Sequence, residues 1–323
     1  MISLSVIIPV FNAEGVLHHC LRGLIEQKIE HFEILVVDNN ATDKSNVIIQ
    51  HFKQMDSRIR YVVCTRQGVS SARNMGIEMA VGDYIYFMDS DDDLKMDALA
   101  RFYSFARKSG AEAVFSNILY SKKGSFYPMD PAASTDVFAQ DGEIPRMFYQ
   151  KLSSYVMYMP FKFYKRQFLI DNNIRYDETL SLGEDVLFNI DVYRHARSIY
   201  YIAEPLYIYQ ITAGGLNSKY RSDFLDIKEL LASRIKSYLE ESNCLGPNYY
   251  KVLMHDMFSV FVNETKAPEP DLKRIYDHPM MTELLTSGVF PHLHLTKKIV
   301  FFAFKMRWTK LLYFAAKVYM SQI

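Results

Sequence analysis

Short apolar runs alternate with amphipathic segments over residues 1–120. Runs rich in β-branched and aromatic residues predict strands at 6–10, 34–37, 59–64, 84–88 and 113–116. Apolar residues at helical spacing predict helices at 14–27, 44–54, 70–80 and 95–109. This alternation predicts an α/β fold with a mainly parallel sheet flanked by helices.

Polar residues occur where the first two predicted strands end. The first is followed by Phe11 and Asn12, and the second by Asp38 and Asn39. Ligands of open α/β sheets bind beyond the carboxyl ends of the strands, so this edge is predicted to form a cleft. Each of these residues also suits an ordinary turn, because Asn and Asp favour turns and caps.

The fourth predicted strand runs into four acids within five residues: Asp89, Asp91, Asp92 and Asp93. Like charges at such spacing repel one another unless a cation or several hydrogen-bond donors lie among them. The cluster therefore predicts a metal site. The alternative is a solvated turn before a helix, where Asp92 or Asp93 would cap the first turn.

Four stretches in order resemble the motif set of family 2 glycosyltransferases with the GT-A fold, of the bacterial surface-polysaccharide type. They are SVIIPVFN at 5–12, VVDNNATD at 36–43, GVSSARNMG at 68–76 and DSDD at 89–92. Four motifs in a fixed order are more specific than any one of them. The resemblance implies a Rossmann-like sheet that binds a nucleotide-diphosphate sugar, most simply a UDP-sugar.

The resemblance also implies roles for the strand ends. Pro9, Phe11 and Asn12 match the loop that lies against the base and ribose, and Asp38 matches the residue that holds the nucleoside. Asn39 replaces the second of two adjacent acids, the one expected to contact uracil. The identity of the base is therefore left open, although an Asn side chain can still donate and accept hydrogen bonds.

The next two motifs are implied to hold the diphosphate. Arg73 and Asn74 begin a helical stretch, where a cation and free backbone N–H groups favour phosphate, although Arg73 would equally suit a local ion pair. Asp89, Ser90 and Asp91 match the Asp-X-Asp element that binds Mn²⁺ or Mg²⁺. Asp91 is the predicted direct ligand, and Asp89 is predicted to contact the ribose or a metal-bound water.

The stretch SLGEDVLF at 181–188 resembles the motif that supplies the base of inverting members. Asp185 is predicted to take the proton of the acceptor hydroxyl, Glu184 to orient the acceptor or the base, and Gly183 to let the backbone approach closely. The alternative is that both acids only favour a helix N-terminus. Lys162, in a predicted strand upstream, would contact phosphate or acceptor, or project to solvent.

The resemblance implies a nucleotide-sugar half at 1–120 and an acceptor and catalytic-base half at 121–220, and the mostly helical pattern that follows predicts a helical extension at 221–323. Residues 121–153 lack periodicity and predict a loop or lid, or a surface insertion. No acidic residue occurs from 284 to 323. Basic residues lie among aromatic ones there, and they are Lys297, Lys298, Lys305, Arg307, Lys310 and Lys317. This pattern favours an anionic membrane surface over a buried helical pair.

Composition narrows the possibilities further. The 37 basic and 37 acidic residues balance, so nothing indicates a nucleic-acid partner. Three scattered cysteines fit a reducing cytoplasm, and the apolar run at 3–10 is interpreted as a strand and not as a signal peptide. We therefore expect a cytoplasmic enzyme, peripheral to the plasma membrane.

The prediction is an inverting glycosyltransferase that transfers a sugar to a hydroxyl of a lipid-linked or surface glycan. One alternative is a nucleotide-sugar-binding scaffold without activity, which would have no use for Asp185. The other is a nucleotidyltransferase, which would be expected to have a Gly-rich basic loop after the first strand, where this chain has PVFNAE.

Overall fold

The computed structural model describes residues 3–122, 125–128, 135–151, 162–210 and 219–322. The chain divides into two compact units. One comprises Met1–Met147 and Ser154–Thr212 and contains the whole sheet; the other comprises Phe148–Ser153 and Ala213–Ile323 and is helical. The predicted boundaries at 120 and 220 stay predictions, since the contacts group residues 1–120 with most of 121–212.

A ten-stranded mixed sheet forms the centre of the first unit, in the order β3-β2-β1-β4-β9-β6-β10-β5, with β7 beside β6 and β8 beside β10. Six strands run in one direction, and β5, β7, β8 and β9 run in the opposite one. The strands are β1 Leu4–Val10, β2 Phe32–Asp38, β3 Ile59–Val63, β4 Tyr84–Phe87, β5 Asp93–Leu94, β6 Ala113–Lys122, β7 Ser125–Pro128, β8 Val137–Gln140, β9 Lys162–Lys165 and β10 Ser198–Gln210.

Helices of the first unit connect these strands. They are α1 Leu17–Ile25, α2 Ser45–Met55, α3 Val69–Met79, α4 Ala98–Ser109, α5 Glu143–Lys151, α6 Arg166–Asp171 and α7 Glu184–His195, of which α5 continues into the second unit. Strands β1 and β2 are almost completely buried, which explains why their sequences are mostly apolar. The predicted α/β fold with a mainly parallel sheet is confirmed.

Helix α3 lies close against the central strand β1. A Cβ atom at Gly76 would stand 2.3 Å from Cγ2 of Ile7, so only glycine permits this approach. The helix begins after Gly68, whose φ of 125° is rarely adopted by other residues. These two glycines place the first turns of α3 beside the carboxyl ends of β1 and β4.

Two expectations about local structure are wrong. Residues 121–153, expected to be a loop or lid or a surface insertion without regular structure, include among the described residues the end of β6 together with β7, β8 and α5, and β7 and β8 pair with β6 and β10 of the sheet. Asp92 and Asp93 do not cap a helix. Asp93 instead pairs with Ile208 of β10 as part of β5, and α4 begins only at Ala98.

The second unit consists of helices, which confirms the predicted C-terminal helical region. They are α8 Phe224–Glu241, α9 Pro247–Glu264, α10 Leu272–Tyr276, α11 Pro279–Thr286, α12 Leu295–Lys305 and α13 Thr309–Gln322. Lys228 of α8 donates to Asp256 of α9 over 2.7 Å in the interior. Among the helices that the structure describes, none combines the length and apolar character needed to cross a bilayer.

Candidate active site

The carboxyl ends of β1 and β2 are joined by side chains from the predicted nucleotide loop. Asn12, with a φ of 49°, accepts a hydrogen bond from the backbone N–H of Thr42 over 2.8 Å. Its neighbour Phe11 is 51% exposed at the same edge, while Pro9 lies within β1. The structure thus places an exposed aromatic ring on a loop held by Asn12, an arrangement suited to a flat base.

Asp38 is buried at the end of β2. Its Oδ2 accepts from the hydroxyl of Tyr61 over 2.7 Å, and its Oδ1 accepts from the N–H of Ala41 over 2.9 Å. Burial, followed by the hydrogen bond to Asp38, raises the pKa of Tyr61 to about 12. The carboxylate is therefore fixed in position at the centre of this edge.

Asn39 is buried, and both ends of its amide contact the chain that follows β3. Its Nδ2 donates to the carbonyl of Arg66 over 2.7 Å, and its Oδ1 accepts from the N–H of Gly68 over 2.7 Å. An Asp could accept from Gly68 but could not donate to Arg66. The amide at this position therefore fastens the segment that leads into α3, and its contact with a base stays a prediction.

Arg73 joins two motifs that are far apart in the sequence. Its Nη2 donates to Asp89 over 2.8 Å, and its Nη1 donates to Glu184 over 3.0 Å. The guanidinium is buried and lies 5.1 Å from the centre of the Tyr176 ring. Because a guanidinium presents several donors in a rigid plane, it fixes both carboxylates relative to each other.

Asn74 contacts the segment before the Glu-Asp motif. Its Oδ1 accepts from the N–H of Tyr176 over 2.8 Å, and its Nδ2 donates to the carbonyl of Tyr176 and to Glu178 over 2.9 and 3.0 Å. Glu178 also accepts from Arg66, and this bond is the first cause of its lowered pKa. The structure thus uses Asn74 as a link between α3 and residues 176–178, and its predicted diphosphate contact stays a prediction.

The acidic cluster contains carboxylates in different environments. Asp92 is buried and accepts from the hydroxyl of Tyr207, while Asp93 lies 3.2 Å from Nε2 of His19. Asp91 is exposed beside Ser90, and its pKa is raised by partial desolvation and then by Asp89. The buried member thus anchors the loop, while Asp91 faces outward.

The donor set suits a hard divalent ion only in part. Among the described residues, no group of three or more His, Cys, Asp or Glu side chains could hold a metal ion. Asp89 and Asp91 offer carboxylate oxygens, and Mg²⁺ typically takes one or two protein carboxylates and completes its shell with phosphate oxygens and water. The residues present therefore fit an ion that arrives with a diphosphate.

Asp185 is the second residue of α7, and this helix begins directly after Gly183, whose φ of 79° favours glycine. Its Oδ1 accepts from the N–H of Val186 over 2.8 Å. Desolvation, followed by the adjacent Glu184, raises the pKa of Asp185 to about 6, against the opposing charge of Arg73. A carboxylate with this pKa is largely deprotonated at neutral pH and can still accept a proton.

Lys162 of β9 is only 2% exposed. Its ammonium lies 5.8 Å from the ring centre of Phe115 and 5.6 Å from that of Tyr193. Burial holds the pKa of Lys162 well below its usual range, while Asp185 acts in the opposite direction. The alternative in which this side chain projects to solvent is therefore wrong, and its contact with the acceptor stays a prediction.

Sequence reasoning missed three residues that organise this site: Tyr176, Glu178 and Tyr207. Tyr176 stacks on Phe188 with ring centres 4.1 Å apart, and its ring also lies against the guanidinium of Arg73. Their hydrogen bonds with Asn74, Arg66 and Asp92 join residues 102 to 115 positions apart, so no local pattern signals them. Only their aromatic or acidic character next to a motif could have drawn attention to them.

Comparison with known proteins assigns the family. The model of Glycosyl transferase family 2 matches residues 5–172, which include the nucleotide loops, Arg73 and the acidic cluster. The chain belongs to this family. This family 2 member is 31% identical over 221 residues to glycosyltransferase GlyA of Streptococcus pneumoniae, covering 66% of this chain and 31% of that protein.

The chain matches a larger share of some other relatives. A GalNAc(5)-diNAcBac-PP-undecaprenol beta-1,3-glucosyltransferase of Campylobacter jejuni is 27% identical, covering 78% of this chain and 82% of the relative. The chain spans 60% of the length of the glycosyltransferase EpsJ from Bacillus subtilis and 31% of the length of GlyA.

Solved structures show the same fold. Staphylococcus aureus TarS in complex with UDP-GlcNAc matches with a TM-score of 0.64 and 20% identity, over 94% of this chain and 92% of the other. The mannosyltransferase PcManGT of Pyrobaculum calidifontis, solved with GDP-Man and Mn²⁺, matches with a TM-score of 0.50 and 17% identity, over 98% and 86%. The family 2 chain therefore has the GT-A fold.

Proposed function

We propose that the protein is an inverting glycosyltransferase that uses a nucleotide-diphosphate sugar. The observation that carries this proposal is the double ion pair of Arg73 with Asp89 and Glu184. It holds the Asp-X-Asp element next to the Glu-Asp motif, so that one site contains both a donor-binding element and a base. A binding protein without activity would need only the first of these.

In this mechanism the chain's own residues position the donor and move one proton. Phe11, Asn12 and Asp38 receive the nucleoside at the carboxyl edge of the sheet. Asp185 accepts the proton of the acceptor hydroxyl as that oxygen bonds to the anomeric carbon and the nucleoside diphosphate departs. A bound Mn²⁺ or Mg²⁺, held by Asp91 and Asp89, would supply charge neutralisation for the leaving diphosphate.

We propose a UDP-sugar as the donor and a lipid-linked glycan as the acceptor. TarS, whose structure was solved with UDP-GlcNAc, supports the first choice, and the undecaprenol-linked substrate named for the C. jejuni relative supports the second. A base other than uracil stays open, because the amide of Asn39 is hydrogen-bonded to the backbone of Arg66 and Gly68 and does not by itself select uracil. A panel of donors decides this point.

We also propose that the helical unit binds the surface of an anionic membrane. Four exposed apolar residues of α12 and its C-terminal end follow helical spacing and form one stripe: Leu295, Ile299, Phe302 and Met306. Lys298 and Lys305, seven residues apart, lie along one edge of this stripe. An apolar stripe with adjacent lysines complements a lipid surface with negative headgroups.

The test is nucleotide release from UDP-, GDP- and dTDP-sugars, with Mn²⁺ and with EDTA, in the presence of a lipid-linked acceptor. We expect metal-dependent release from one donor. Asp185→Asn should lower kcat by about 10²-fold or more with the donor KM retained, because the base is lost. Asp91→Ala should weaken the response to Mn²⁺, and Asp97→Asn, an exposed carboxylate before α4, serves as the control.

Three outcomes would contradict the proposal. Full activity of Asp185→Asn would exclude this residue as the base. Tight nucleotide-sugar binding without release, with every donor and acceptor, would favour a binding or scaffold protein. Release of pyrophosphate from a nucleoside triphosphate and a sugar phosphate would instead identify a nucleotidyltransferase.

A further inference from the structure

Three tyrosines on neighbouring strands lie side by side at one edge of the sheet. Tyr209 of β10 pairs in register with Tyr120 of β6, and Tyr120 pairs with Tyr127 of β7. Residues paired in register project to the same face of a sheet. The rings of Tyr209 and Tyr120 are in contact, with centres 5.8 Å apart and planes at 89°. We call these three residues the tyrosine ladder.

The two ends of the ladder are open to solvent. Tyr209 is 40% exposed and Tyr127 is 57% exposed, while Tyr120 between them is half-buried. Exposed aromatic side chains that line up across neighbouring strands form an apolar patch, and contiguous apolar patches on a protein surface mark binding sites. The ladder is therefore a candidate surface for a ligand with an apolar face.

The ladder begins beside the acidic cluster. Two residues before Tyr209, the hydroxyl of Tyr207 donates to Asp92, and the intervening Ile208 pairs with Asp93. Desolvation raises the pKa of Tyr209, and the charges of Asp92, Asp89, Asp91 and Asp185 raise it further. One end of the ladder thus lies within the electrostatic reach of both the donor element and the base.

The ladder and the nucleotide loops belong to different strands. The loops follow β1 and β2, whereas β6 and β10 come after β4 and β9 in the strand order, and β7 pairs with β6. Both sets occupy the carboxyl edge, because β6 and β10 run in the same direction as β1 and β4. A donor bound over β1 and β2 would leave the ladder free for the second substrate.

We propose that the tyrosine ladder binds a pyranose ring of the acceptor glycan. The C–H groups on one face of a pyranose are apolar and carry slight positive charge, and they complement the negative face of an aromatic ring. The tyrosine hydroxyls can in addition exchange hydrogen bonds with sugar hydroxyls. This inference rests on the proposed function, since it assigns the ligand as the acceptor of the transfer.

The proposal also orders the acceptor's sugars along the ladder. The ring that carries the reacting hydroxyl would lie at Tyr209, the end beside the acidic cluster and within reach of the charge of Asp185, and a preceding ring would lie towards Tyr127. Residues further along an acceptor would then contribute to affinity through Tyr127 and not to the chemistry. A change at Tyr127 should therefore affect the KM of an oligosaccharide more than that of a single sugar.

The experiment measures binding of simple glycosides without turnover. Methyl β-glucoside, methyl β-galactoside and methyl β-N-acetylglucosaminide are titrated in the presence of UDP and Mn²⁺, and saturation-transfer NMR follows their ring C–H protons. We expect at least one glycoside to bind. Tyr209→Ala should weaken it about fivefold or more, and Tyr209→Phe should retain most of the affinity, because the ring supplies the contact.

Phe126→Ala is the matched control. Phe126 is an exposed aromatic residue next to Tyr127 in the same strand, and it projects to the other face. Its replacement should leave glycoside binding unchanged. Circular dichroism of each variant verifies that the fold is retained.

Failure of this inference can be distinguished from failure of the proposed function. No saturation transfer to any of the three glycosides, or equal binding by wild type and Tyr209→Ala, would overturn the ladder as a sugar site while donor turnover is unaffected. Conversely, the protein could bind a glycoside through Tyr209 and still release no nucleotide from any donor. That result would support the ladder as a sugar site and reject the proposed transferase activity.

Discussion

At the scale of single residues, the carboxyl of Asp185 makes the pH dependence of the reaction predictable. A general base must be deprotonated, so kcat should fall tenfold per unit as the pH drops below the pKa of about 6. Glu184→Gln removes a neighbouring negative charge and should move this acidic limb to lower pH. A pH–rate profile measures both effects.

Asp97→Asn should not move the limb, because this exposed side chain lies before α4 and is not among the groups that shift the pKa of Asp185. A wild-type limb at about 4, the usual value for Asp, would contradict the assigned environment.

Asn39 gives a second prediction at this scale. Asn39→Asp restores the acid found in the commonest family pattern, but places a carboxylate oxygen against the carbonyl of Arg66, to which Nδ2 now donates. The lost bond at a buried position should lower the free energy of unfolding by about 1–3 kcal/mol. Urea denaturation measures this change.

The neighbouring Asn40→Asp serves as the control, because Asn40 is exposed and donates to Thr65 over a longer 3.2 Å. Equal effects of the two substitutions would show that the buried amide has no special part in fastening the segment before α3.

At the scale of elements, the pairing of β10 with β5 determines where the acidic cluster lies. Tyr207 pairs with Leu94, and its hydroxyl donates to the buried Asp92. Tyr207→Phe leaves that carboxylate without this donor and should cost about 1–3 kcal/mol of unfolding free energy. We also expect a higher Mn²⁺ requirement in nucleotide release, since Asp92 adjoins Asp91.

Tyr200→Phe is a suitable control, because this tyrosine of the same strand donates to the exposed Asp136 over 3.0 Å. If Tyr207→Phe changed neither stability nor the Mn²⁺ requirement, Asp92 would not anchor the loop through β10.

At the scale of the whole molecule, the stripe on α12 predicts reversible binding to vesicles. The protein should sediment with phosphatidylcholine vesicles that contain phosphatidylglycerol, and less so with vesicles that lack it. Replacing Lys298 and Lys305 by Gln should weaken binding about fivefold per lysine, since each contributes about 1 kcal/mol. Phe302→Ser should weaken binding to both kinds of vesicle.

Lys53→Gln with Lys108→Gln, two exposed lysines of the sheet unit, is the control pair. Undiminished binding by the Lys298 and Lys305 variant, at about 0.1 M salt, would reject the electrostatic part of the proposal. Self-association of wild type without vesicles, abolished by Phe302→Ser, would identify a second copy as the occupant of the stripe.

The sequence by itself determined the class of fold and the order of the strands that carry the motifs. An apolar run such as residues 6–10 marks a strand, and apolar residues at helical spacing mark the helices between the strands. Both signals depend only on neighbours in the chain, so a local pattern reveals them. The polar ends of β1, β2 and β4 were predictable for the same reason, because turn residues follow directly after each strand. The outward-facing Asp91 and the helix start at Glu184 and Asp185 belong to this group.

Only the tertiary structure decided which of these residues meet. The contacts of Arg73 with Asp89 and Glu184, of Asn74 with Tyr176, and of Tyr207 with Asp92 join segments that lie from 16 to 115 residues apart. Lys162 is buried only in the folded chain, and desolvation there raises the pKa of Asp185. No local sequence pattern specifies either effect. Long-range packing alone brings such groups together.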